Sequence, residues 1–390
     1  MFKKIFKDSF PLSNNMEENI KIAKNWLLNS GIQNIKGEHK GAFNSWFDIN
    51  KKNYPYAYSE ITGYGITLLI FLYNLIKEEI LLERANLATD WLINKAKHNS
   101  GGILTRHFYD KANFMGSFEN EEIFAFDCGM VLNGVTNLYN ITKDEKHLEF
   151  CINLADFMIN KMQKQNGSFY AIYNAKNNTL KDDGEKWSTQ SGAFHAKLSI
   201  GLINLYIITK NTKYKESAKK ICDYSLKFLK DNGRFITFNK TGDTLFHPHC
   251  YVSEGFYMAG NYLKNNNYLE SSKKSINYLF ENQLESGGIP QMFKNNQFIN
   301  FERTDILAQT LRMGVLFSKD KDKLNNLTKR LLEFQVKEGD QKGGFIYGYD
   351  DSGKKYEHVN SWCTMFALQA LILYQRYLEN NINFNSGLIV

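Results

Sequence analysis

Leu154-Ala155-Asp156-Phe157-Met158-Ile159-Asn160-Lys161-Met162-Gln163-Lys164-Gln165-Asn166-Gly167-Ser168-Phe169 reads as a helix that stops at a glycine. Leu154, Phe157, Met158 and Met162 fall at three- and four-residue steps with polar residues between them, so one face is apolar and the other wet. Gly167 ends the helix, because a left-handed terminal residue without a Cβ carries no steric penalty. The motif of glycine, any residue and an apolar residue recurs at Gly41-Ala42-Phe43, Gly102-Ile103-Leu104, Gly233-Arg234-Phe235, Gly288-Ile289-Pro290 and Gly343-Gly344-Phe345. The successive spacings are 61, 65, 66, 55 and 55 residues. Similar stripes precede other copies, as with Ala88, Trp91, Leu92 and Ala96, or Leu327, Leu331, Phe334 and Val336. A unit that recurs at such a period and leaves one face apolar needs its neighbours to bury that face.

A second stretch, apolar around more of its circumference, follows each motif. The six run over residues 60–75, 127–141, 192–208, 251–263, 305–317 and 362–377. They carry small residues such as Gly63, Gly134, Gly201, Gly255 and Ala367, which let buried helices approach closely. Six outer–inner hairpins predict an all-α (α/α)6 toroid, a single domain over residues 19–380. An N-terminal extension (1–18) and a C-terminal tail (381–390) flank it. Closure explains how 390 residues form one domain when single cores stop growing at about 250–300 residues. An open solenoid is the alternative.

The hydrophobic fraction of 43% excludes disorder as the dominant state, and only 4 prolines interrupt helices. Lysine and arginine exceed acidic residues by 7 without a block of like charge, so no nucleic-acid partner is expected. The longest apolar stretch, Gly65 to Ile76, reads as too short for a bilayer, so no membrane insertion is expected. Five cysteines without a CxxC pair suggest a reducing, cytoplasmic setting. The N-terminus starts like a signal peptide but lacks its apolar region. Cys128, Cys250 and Cys363 sit near the starts of the second, fourth and sixth inner helices, close to His247, His249 and His358 in the expected ring, which raises zinc. Alternate helices of a ring face each other across it, so no metal and no cofactor is expected. Oligomeric state leaves no mark in the sequence.

In such a ring every inner helix starts at the same end, around one funnel. Counting back from an aromatic residue near each helix end puts Glu60 13 before Tyr73, Asp127 12 before Tyr139 and His195 11 before Tyr206. It puts His249 13 before Tyr262, Asp305 12 before Phe317 and Ser361 13 before Tyr374, with His358 three residues earlier. Asp and Ser at helix starts also serve as caps, and carboxylates favour the positive dipole end. The hairpin loops add Trp46, Arg106, His107, Tyr109, Lys186, Trp187, His247, Glu302, Arg303 and Tyr347 as candidate substrate-binding residues. Aromatic platforms stack on pyranose C–H faces, and arginine grips a carboxylate at two points.

The layout from about Asn19 to Asn380 resembles a superfamily of six-hairpin toroids. It includes N-acylglucosamine 2-epimerases, the C-terminal domain of glucuronyl C5-epimerases, six-hairpin glycosidases and polysaccharide lyases. Tyr58-Ser59-Glu60-Ile61-Thr62-Gly63-Tyr64 and Phe126-Asp127-Cys128-Gly129 are similar to stretches in toroid proteins of bacterial surface-polysaccharide clusters. His247-Pro248-His249, with Glu254 after it, resembles the fourth-hairpin histidine motif of the 2-epimerases, and His358 falls where those enzymes carry another histidine. The resemblance implies sugar chemistry by proton transfer. The leading expectation is an epimerase or isomerase of surface-polysaccharide metabolism, with His249 and His358 as the acid–base pair and His195 in reserve. Arg106 or Arg303 would stabilise the developing oxyanion. The alternatives are a glycoside hydrolase built on two of Asp127, Glu60, Glu254 and Asp305, a lyase using Tyr and His, or a non-catalytic glycan-binding toroid acting on a sugar or acidic glycan.

Overall fold

The computed structural model describes residues 11–109 and 121–390, so most of the N-terminal extension lies outside the described residues. Twelve α-helices alternate outer and inner in six pairs among the described residues. The first three pairs are α1 (Pro11–Asn29) with α2 (Ser59–Ile76), α3 (Glu79–Trp91) with α4 (Ala125–Thr142), and α5 (Glu145–Phe157) with α6 (Leu198–Thr209). The last three are α7 (Thr212–Ser225) with α8 (Phe246–Leu263), α9 (Asn266–Glu281) with α10 (Thr304–Leu316), and α11 (Lys321–Leu332) with α12 (Ser361–Leu378). Each inner helix packs on the next, from α2 to α4 through to α12, and α12 packs on α2. The ring therefore closes, and the fold is the (α/α)6 toroid. By length and composition α2 could cross a bilayer, a stretch longer than the sequence reading allowed, and it is spent as a wall of the barrel core.

The repeat glycine does something other than end a helix. The chain folds back in a tight turn, as in Gly167 N–H to Lys164 C=O (3.0 Å) and Lys164 N–H to Ser168 C=O (2.7 Å). The glycine holds the left-handed position of that turn, a bulged-hairpin geometry. In the second and fifth copies the left-handed residue is Gly101 or Gly287, one before the residue read from the sequence. The glycine also sits against the outer helix of the next repeat. A Cβ on Gly343 (φ +97) would lie 2.1 Å from the Ile22 carbonyl of α1, so the sixth copy of the motif seals the ring.

Short antiparallel ladders at the funnel end tie neighbouring repeats. Tyr56–Tyr58 pairs with Arg106–Phe108, and Trp46–Asp48 pairs with His358–Asn360, which joins the first repeat to the sixth. At the other end the tail is part of the core. Asn137 and Asn204 donate to the Gly387 carbonyl (2.8 and 3.1 Å), Gln369 donates to Leu388 (2.7 Å), and Ile389 and Val390 are fully buried on the barrel axis. The proposed boundaries shift accordingly: α1 starts at Pro11, inside the expected extension, and residues 386–390 belong to the toroid.

Candidate active site

A cavity of about 350 Å³ opens at the N-terminal ends of the inner helices. The second residue of α2 supplies Glu60, and the start of α4 supplies Phe126 and Asp127. His247 and Tyr251 come from α8 and Trp362 from α12. The loops and ladders add Tyr58, Arg106, Trp187, Arg303 and Tyr347. Apart from α6, each inner helix follows an extended residue directly, and in four of them the second position projects into the funnel: Glu60 after Tyr58, Phe126 after Phe124, His247 after Leu245, Trp362 after Asn360.

Glu60 and Asp127 form a carboxyl pair. Burial raises the Glu60 carboxyl, with Tyr58, Arg106, Tyr64 and Lys197 pulling the other way. Burial and then the neighbouring Glu60 charge push the Asp127 carboxyl well above the usual range, against Arg106 and the Thr105 hydroxyl. Asp127 Oδ2 has no hydrogen-bond partner among the described residues. Two nearby carboxyls in low dielectric cannot both ionise easily, so the two titrate as a pair with both carboxyls raised. Arg106 lies over the rings of Tyr58 (4.9 Å) and Phe124 (5.6 Å), and its Nη2 donates to Tyr58 Oη (3.3 Å).

The opposite wall is fully paired. Arg303 Nε donates to Asp305 Oδ1 (3.1 Å), Trp362 Nε1 donates to Asp305 Oδ2 (3.1 Å), and His247 Nδ1 lies 2.7 Å from Gln309 Oε1 and 3.3 Å from Asp305. Burial would raise Asp305, but Arg303 and His247 hold its carboxyl below the ordinary value. Burial draws His247 down to about 4, so the imidazole is neutral at pH 7. Beneath the floor, Tyr64 Oη donates to Tyr251 Oη (2.8 Å).

The structure brings Glu60, Asp127, Arg106, Trp187, His247, Arg303 and Tyr347 to one cavity, with Asp305 directly behind it. The His249–His358 pair is not assembled. His249 is wedged between α8 and α9, where Nδ1 accepts from Phe235 N–H and Nε2 donates to Ser275 C=O (both 3.1 Å). His358 lies on a ladder strand between the rings of Trp46 (5.1 Å) and Tyr347 (5.3 Å), outside the cavity lining. His195 is buried against Phe194 (4.1 Å), and neither ring nitrogen has a partner among the described residues. Glu254 is held by Lys197 and Arg312, all three without exposure, and Glu302 by Arg330 and Ser286. His107 packs on His39 and Trp91, Tyr109 hydrogen-bonds Asn34 and Asn44, and Lys186 is exposed beside Trp187.

The sequence reading missed Tyr58, Tyr251 and Trp362. A signal for the layer exists: in three inner helices a left-handed lysine caps the end four residues after a tyrosine, Tyr73–Lys77, Tyr139–Lys143 and Tyr206–Lys210. In the fourth, Lys264 points back to Gly260, so Tyr262 is two residues out of register. Counting from Gly260 puts His247, not His249, in the layer of Glu60. Among the described residues no cluster of three His, Cys, Asp or Glu could hold a metal.

The fold and cavity define a six-hairpin (α/α)6 toroid whose funnel presents a carboxyl pair among aromatic rings. The sequence model of Glycosyl Hydrolase Family 88 matches residues 105–284. Cellobiose 2-epimerase from Bacillus thermoamylovorans B4167 is similar in structure (TM-score 0.73, 12% identity, covering 92% of this chain and 99% of that one). So is D-mannose isomerase (TM-score 0.71, 12% identity, 94% and 99%). An unsaturated glucuronyl hydrolase from Bacillus sp. GL1, responsible for the degradation of glycosaminoglycan, is also similar (TM-score 0.68, 15% identity, 93% and 97%). A comparison with curated protein sequences finds no match.

Proposed function

We propose that the protein is a carbohydrate-active enzyme and, within that class, a glycoside hydrolase with Asp127 as proton donor and Glu60 as the carboxylate partner. The observation that carries this reading is a carboxyl pair, Glu60 and Asp127, lining one cavity with Arg106 and sugar-sized aromatic surfaces, with burial raising both carboxyls. Two carboxyls facing one cavity are the arrangement that acid–base cleavage of a glycosidic bond requires. Asp127 gives its proton to the leaving oxygen as the C–O bond breaks. Glu60 takes a proton from the attacking water, or attacks first and is released by water. Trp187, Tyr347 and Trp362 offer faces for a pyranose ring, and Arg303 and Arg106 offer charge to a uronate carboxylate. The match to Family 88 covers Asp127 and supports hydrolysis. The glucuronyl hydrolase among the similar structures suggests an unsaturated uronyl sugar as the first substrate to test.

A second reading rests on His247, a neutral imidazole in the same cavity whose Nδ1 is engaged by Gln309 and Asp305. It would serve proton transfer in an epimerase or isomerase, the activity that fits surface-glycan synthesis. Unsaturated glycosaminoglycan disaccharides and saturated oligosaccharides, incubated in deuterated water, separate the two. Hydrolysis gives new reducing ends, and with an unsaturated substrate a loss of its ultraviolet absorbance. Epimerisation gives deuterium at carbon in recovered sugar. New reducing ends in the wild type but not in Asp127→Asn support the first reading, and carbon-bound deuterium without cleavage refutes it.

A further inference from the structure

Asp305, Gln309 and Arg312 follow one another along α10 at steps of four and three residues, so they share one face. His247 and Glu254 lie two turns apart on α8, and the two stripes mesh with all five side chains buried. Glu254 Oε1 accepts from Arg312 Nε (3.0 Å) and from Gln309 Nε2 (3.3 Å), and Lys197 Nζ donates to Oε2 (2.7 Å). A carboxylate held between two cations is ionised and can only accept. The Gln309 amide must therefore turn its NH2 group to Glu254, which leaves Gln309 Oε1 facing His247 Nδ1 at 2.7 Å. The other atom in front of Nδ1, Asp305 Oδ2 at 3.3 Å, is also a pure acceptor, because Asp305 is ionised beside Arg303. With two acceptors before it, Nδ1 carries the proton, and in a neutral imidazole the second nitrogen is then a bare lone pair. Among the described residues the side-chain partners of His247 are all at Nδ1. The ring itself lines the cavity, between Tyr251 (4.4 Å) and Trp187 (5.7 Å).

We propose that Gln309 is a positioning residue that passes the polarity of the Glu254 carboxylate on to His247 and locks the imidazole as its Nδ1–H tautomer, so that Nε2 meets the substrate as an acceptor for a sugar hydroxyl. The hydroxyl rests on the reading of the cavity as a site for glycoside cleavage; the tautomer does not. A substrate group at Nε2 must bring a proton. A free hydroxyl fits there, whereas a methoxy oxygen or a carboxylate sets its lone pairs against that of the ring and is refused. The carboxylate of a uronic acid is thereby turned to the side of the cavity where Arg106 and Arg303 lie.

Two-bond 1H–15N correlation spectra of protein carrying 15N-histidine read the tautomer directly, because a protonated ring nitrogen resonates far upfield of a bare one. His247→Asn identifies the signals by their loss. Wild type at pH 7 is expected to show a protonated Nδ1 and a bare Nε2; the reverse assignment overturns the proposal without any change to the core. Gln309→Leu removes the 2.7 Å acceptor and leaves only Asp305, already occupied by Arg303 and Trp362. The two nitrogen signals then move towards each other as the second tautomer fills. On the glycoside that the wild type cleaves, kcat/KM falls about tenfold, the scale of one lost hydrogen bond. A merely structural glutamine lowers the melting temperature and leaves the ring signals in place, and unmoved signals in folded Gln309→Leu overturn its role. Titrating the same glycoside into Asp127→Asn moves Nε2 upfield as it accepts the hydroxyl, with Nδ1 little changed; a still Nε2 at saturation overturns the recognition. If the wild type cleaves no glycoside, the hydrolase reading fails on its own, and the spectra of wild type and Gln309→Leu still decide for or against the tautomer lock.

Discussion

Glu254→Gln separates a structural carboxylate from a catalytic one. Glu254, Lys197 and Arg312 have no exposed side-chain surface, and Glu254 receives both cations. The substitution leaves two buried positive groups around a neutral amide. Burial already draws the Lys197 ammonium down to about 8 with Glu254 beside it. Without that carboxylate the lysine gives up its proton at neutral pH, whereas Arg312 stays charged and uncompensated. Breaking a buried ion pair from one side costs about 3–5 kcal/mol. With an m-value of about 3–4 kcal/mol/M for a chain of this size, the urea midpoint falls by about 1 M. Equilibrium urea unfolding followed by far-ultraviolet circular dichroism reads that shift. Adding Lys197→Met and Arg312→Met to Glu254→Gln replaces the cluster with apolar volume and recovers most of the loss, since such replacements are commonly neutral or stabilising. A Glu254→Gln protein with a wild-type midpoint and no turnover would refute this assignment and return Glu254 to the reaction.

Asp127→Asn and Glu60→Gln each lower kcat/KM by about 10²–10⁴-fold while leaving the urea midpoint within about 1 kcal/mol of wild type, measured by cleavage kinetics and denaturation on the same preparations. Gly343→Ala costs about 3 kcal/mol or more, since it adds a clash with the Ile22 carbonyl to the left-handed penalty. Gly242→Ala (φ +76, nothing within 4 Å) costs only about 1, and paired melting curves show the difference. Burial draws His195, whose ring nitrogens have no hydrogen-bond partner among the described residues, down to about 3 from an ordinary 6.5. The unfolded chain therefore takes up the proton first as pH falls below 6.5, and stability drops by about 1.4 kcal/mol per pH unit from this group until the folded value is reached. His195→Leu removes that slope, so the variant gains on wild type steadily between pH 6 and pH 4 in urea titrations; parallel profiles would contradict it.

The fold was legible because its repeating feature is imposed by sterics. In four copies the motif glycine turns left-handed against the backbone of the next outer helix, as Gly167 does at Lys220 and Gly343 at Ile22, where a Cβ would not fit, and Gly101 and Gly287 take the left-handed place in the other two. The site was legible only in part. Glu60 and Asp127 came out because their helices end in tyrosines that hold register with the lysine cap. His249 displaced His247 because Tyr262 lies beyond that register, and aromatic character near a helix end is set by local packing. Trp362 stayed hidden for a related reason: attention to titratable residues favoured Ser361, whose hydroxyl is turned to the backbone carbonyl of Asn44 (2.6 Å). The tail was read as a tail because its partners, Asn137, Asn204 and Gln369, look like ordinary polar breaks in apolar helices.

Burial alone does not tell a catalytic carboxyl from a structural one in this barrel. Glu60, Asp127, Asp305 and Glu254 all sit near the axis, and desolvation pushes each of them up. What divides them is whether a cation is committed to the carboxylate. Asp305 has Arg303 two residues away on the same turn, with Trp362 and His247 completing its shell, and ends below the ordinary value. Glu254 has Arg312 and Lys197 and does the same. Arg106, the cation nearest the other pair, is shared with the Tyr56 and Tyr58 rings and cannot satisfy two carboxylates at once. The excess proton therefore collects where the cations are fewest, and that place is also where the cavity opens. A second cation placed beside Asp127 would drive its proton off and convert the reactive pair into another structural one.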